Sequence, residues 1–127
     1  YHEPIGKAEQ QLNLQNFAMV ALESEDFARC DEILDSLSAD QDMGDTVQGI
    51  RFYAKVRKRE IEEAISLLDA WIRERDLPIA GTIDSFVDLL GIIAKVAEKM
   101  VQYGKTGAGS VLVRASEHLA GTIGLKE

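Results

Sequence analysis

The sequence predicts an all-α fold of five or six antiparallel helices, and two observations carry that expectation. Apolar residues recur at steps of three and four along nearly the whole chain, whereas the strict alternation of a half-buried strand is almost absent. The composition also holds only two prolines, eight aromatic residues and one cysteine in 127 residues, too few turn formers for a sandwich or barrel and no basis for a disulfide framework. The length suits one domain with one core, and 46% hydrophobic against 28% charged residues is a globular balance. A single helical domain over residues 1–127 is expected.

Each helix is justified by its stripe. Leu14, Phe17, Ala18, Ala21 and Leu22 form the first, beginning near Leu12. Ser24 is expected to cap a second helix from about Glu25 to Ser38, which buries Phe27, Cys30, Leu34 and Leu37. The polar stretch from Ser38 to Asp45 reads as a loop. A third helix from about Thr46 to Lys58 turns Val47, Ile50 and Ala54 inward, and a fourth from about Glu60 to Arg75 turns Ile61, Ala64, Leu68 and Trp71 inward. Asp76-Leu77-Pro78 ends it, because the residue before a proline avoids helical geometry. Thr82 or Asp84 then caps a long fifth helix reaching Tyr103. Gly104 to Gly109 reads as a loop, and a short sixth helix runs from about Ser110 to Ala120.

The second and fourth helices echo one another. Phe27, Cys30, Leu34 and Leu37 recur 34 residues later as Ile61, Ala64, Leu68 and Trp71. The preceding helices match at a shift of 33, Leu14 with Val47 and Phe17 with Ile50, which suggests a turn one residue longer in the second copy. Over residues 11–78 the chain resembles the tetratricopeptide-repeat family, whose 34-residue unit is a helical hairpin with a small residue three positions after a large one. Cys30 after Phe27 and Ala64 after Ile61 fit that spacing. Glu25 and Arg59 stand where the family has a turn glycine, and Asp42 and Asp76 where it has a proline. The resemblance implies two stacked hairpins, with residues 79–127 as capping helices and the long fifth helix as the C-terminal cap.

Charge is uneven. Residues 23–45 hold nine acids and one base, Arg29, and so carry the whole net charge of −8. This stretch is either a solvated face or a platform for a basic partner segment. An acidic chain of this kind is not expected to bind nucleic acid. Lys55, Arg57, Lys58 and Arg59 form the one basic cluster, read as favourable charge at a helix C-terminus paired with Glu60, Glu62 and Glu63. Five charges scattered through Ile79–Val101 make a membrane span costly, and Tyr1-His2-Glu3-Pro4 shows no leader pattern. A cytoplasmic location without a membrane partner is expected.

No constellation of residues supports a reaction, so no enzyme activity, metal or cofactor is expected. Gly104-Lys105-Thr106 is not a phosphate loop, since Lys99 stands where that motif needs glycine and a helix precedes it. His2 and His118 are isolated, and Cys30 sits on an apolar face where a thiol acts as a small hydrophobe. Trp71 reads as core. The expected function is a protein–protein interaction module, adaptor or small chaperone that takes a partner peptide or helix in a groove. Leu14, Phe17, Ala21, Ile50, Phe52, Tyr53 and Lys55 are the groove candidates implied by the hairpin arrangement. On the fifth helix, Ile83, Phe86, Leu90, Ile93, Ala97 and Val101 are expected to cap the fourth. Leu89, Ile92 and Val96 would then exceed what a short sixth helix covers and lie at a protein contact. Self-association as a structural domain of a larger assembly is the alternative.

Overall fold

The structure is a computed structural model that describes residues 6–79 and 81–122. His2 and the Tyr1–Pro4 stretch therefore lie outside the described residues. Among those described there are six α-helices and no strand: α1 (Lys7–Glu23), α2 (Phe27–Ser38), α3 (Gly44–Arg57), α4 (Ile61–Glu74), α5 (Phe86–Gln102) and α6 (Thr106–Thr122), with a 3₁₀ turn at Gln41–Met43. No helix is long and apolar enough to cross a membrane.

One turn recurs four times. Glu25, Arg59, Asp76 and Gly104 all have φ between 52° and 80°, each just past a helix end. At each, the next residue donates its N–H to the carbonyl five positions back, as Asp26 does to the Ala21 carbonyl (2.8 Å) and Glu60 to the Lys55 carbonyl (2.9 Å). These paired bonds satisfy the last helix carbonyls. The α1–α2 and α3–α4 connections are both three residues long, so the second turn is not longer and the first helices register at 34. That register pairs Ala18 with Phe52 and Leu22 with Val56, all of them buried.

Several boundaries differ from expectation for local reasons. Ser24 closes α1, and Asp26 caps α2 by accepting from the Arg29 N–H (3.3 Å). Part of the stretch expected to be a loop from Ser38 is the 3₁₀ turn, capped by Asp40, which runs straight into α3 at Gly44. Ser85, rather than Thr82 or Asp84, caps α5 by accepting from the Asp88 N–H (3.1 Å). The largest difference is α6, which begins at Thr106 and takes in Gly107 and Gly109 of the expected loop.

Those glycines sit where helices nearly touch. A Cβ on Gly109 would lie 2.8 Å from Val101 Cγ2 and 3.1 Å from the Ala97 carbonyl of α5. A Cβ on Gly107 would lie 3.2 Å from the Gln15 side chain of α1 and 3.3 Å from Thr46 of α3. Ala108, fully buried, meets α3 at Gly49. Three small residues in a row thus seat one helix against three others.

α3 is the central helix, packed against α1, α2, α4 and α6 and buried on nearly every side. Its first turn carries Asp45, 4% exposed, whose Oδ1 accepts from Trp71 Nε1 (2.9 Å) and Arg75 Nε (2.8 Å). The positive end of the helix and two donors compensate the buried charge. α5 packs chiefly on α6 instead of capping α4. Clefts of about 340 Å³ and 250 Å³ lie between α4, the following linker and α5.

Candidate interaction surface

The groove expected on α1 and α3 is occupied by the chain itself. α6 lies along it: Gly107 faces Gln15 and Thr46, Ala108 faces Gly49, and Arg114 Nη1 reaches Glu23 Oε1 at 3.3 Å. The His118 ring meets Tyr53 edge-on, 6.2 Å between centroids. Ala21, Ile50, Phe52 and Tyr53 are accordingly core, and Leu14 is half-buried. Lys55 is half-buried and bonds Glu60 Oε1 at 3.3 Å. Phe17, 60% exposed, points to solvent with Val20. The structure does not bring these seven residues together as a free surface.

Leu89, Ile92 and Val96 are also corrected. All three are buried within the chain, and Leu89 and Ile92 also line the clefts that α5 makes with α4 and the following linker. The apolar residues that α5 leaves outside are others: Phe86, Val87 and Val101.

The charged clusters are largely committed to the fold. Lys55 and Lys58 share Glu60, Lys58 Nζ stands 5.5 Å from the centre of the Phe27 ring, and Arg57 donates to the Glu23 carbonyl at 3.3 Å. Of the acidic stretch, Asp45 is buried, Asp26 and Asp40 cap, and Asp35 pairs with Arg51 at 3.2 Å. The Asp42 backbone N–H, with Lys7 and Gln11, holds the Asp40 carboxyl below its ordinary range. What remains outward on α2 is Asp31, Glu32 and Asp35. Burial, with Asp31 adding to it, pushes the Cys30 thiol up to about 11, so it stays protonated and unreactive at neutral pH. Among the described residues no three His, Cys, Asp or Glu side chains gather to hold a metal ion.

The surface that does stand open is an apolar groove of about 520 Å³ between α5 and α6. Ile93, Ala97 and Gly109 line it together with Ala94 and Val101 of α5 and Val113 of α6. Val101 and Val113 are each about half exposed. Its polar rim is Gln102, Thr106, Ser110 and Ser116, with Glu98 the one charge. The groove exists because Gly109 lets α5 and α6 approach closely near their connection, leaving small side chains along their outer faces. The only sequence signal for it is that run of small residues, which hydrophobic periodicity does not score. Comparison of the chain with protein-family models, with curated proteins and with solved structures returns no match.

Proposed function

We propose that the chain is a non-enzymatic protein–protein interaction domain, an adaptor or small chaperone, that takes an apolar helix in the α5–α6 groove. The observation that carries this reading is the groove itself, open and almost uncharged in a chain of net charge −8. The scaffold beneath it is read as three stacked antiparallel hairpins. Supporting that, Lys7 at the start of α1 reaches Asp40 beyond the end of α2 (3.3 Å), and Asp45 at the start of α3 meets Trp71 and Arg75 at the end of α4. The first two hairpins, with equal turns 34 residues apart, are the tetratricopeptide-like part. The third departs from such a stack, since its second helix docks on α3.

A photo-reactive amino acid placed at Val113 in the intact chain, in cells, tests the reading. Discrete protein adducts should form there and vanish when Ala94→Lys blocks the groove. The same probe at Glu62, exposed on α4, should form none. Absence of any adduct at Val113 removes the proposal.

A further inference from the structure

We draw no further inference here: the strongest candidate, the adjoining clefts between α4, the linker after it and α5 that share Ile65 and Ile83, has largely aliphatic walls and at its rim an exposed Asp69–Arg73 pair already satisfied within α4, and nothing in the structure shows what fills it.

Discussion

Glu25 and Arg59 hold φ of 63° with ordinary side chains, a conformation that costs an L-residue roughly 1–2 kcal/mol. Glycine adopts it freely but loses more backbone entropy on folding, so Glu25→Gly and Arg59→Gly should each stabilise the domain by about 0.5–1 kcal/mol. A rise in urea midpoint at unchanged slope would show it, and a loss would mean that the side chains hold contacts absent from the structure. The absence of these glycines is legible in the sequence as a departure from the hairpin family; that the turn keeps its shape without them is not. His118 makes a second residue-scale test. Burial first, then Arg57 and Arg59, lowers its pKa below the ordinary 6.5. The folded state therefore prefers the neutral ring. The stability this provides is complete above 6.5 and is lost as the pH falls through the lowered folded value. Between about pH 7.5 and about pH 5, His118→Gln should lose less stability than the parent chain in urea titrations. An identical loss would show that His118 titrates alike folded and unfolded.

At the scale of elements, the sequence announces most of the helices and misjudges their partners. The stripes of α2 and α4 are clear because Cys30, Leu34 and Leu37, like Ala64, Leu68 and Trp71, fall on one face at helical spacing and are buried there. α6 is misread because Gly104, Gly107 and Gly109 look like turn residues, and only the first of them serves one. A glycine chosen for close approach carries no signal until its neighbour is known. The two uses respond differently to a methyl group. Gly109→Ala places it 3.1 Å from the Ala97 carbonyl and should destabilise by about 1–3 kcal/mol, because α5 and α6 must separate. Gly49→Ala finds its nearest atom at 3.5 Å, an ordinary contact, and should leave the urea midpoint nearly unchanged. Equal effects at the two positions would refute the close packing of α6 on α5. The expectation for Leu89, Ile92 and Val96 likewise rests on a short sixth helix; in the structure all three are buried, Leu89 and Ile92 beside α4 and the following linker.

For the whole molecule, the decisive contact is the return of α6 to α3 and α1. In a linear stack of hairpins each unit touches only its neighbours, and the ends can unravel by themselves. Here α6 is joined to α1 through the Arg114–Glu23 pair and Gly107 at Gln15, and it packs along the central helix. Unfolding should therefore be one cooperative transition. Trp71, the single tryptophan, reports on the contact of α4 with α3 through its bond to Asp45, while far-UV circular dichroism reports on all the helices. Leu112→Ala removes a fully buried side chain of α6, which no residue of the first four helices replaces, and should cost about 2–4 kcal/mol. In the variant, tryptophan fluorescence and circular dichroism should shift to a lower urea midpoint together. A fluorescence midpoint that stays in place while circular dichroism splits into two steps would mean that α1 to α4 stand alone. The groove between α1 and α3 would then be available whenever α6 is released, and the surface between α5 and α6 would lose its claim to be the binding face.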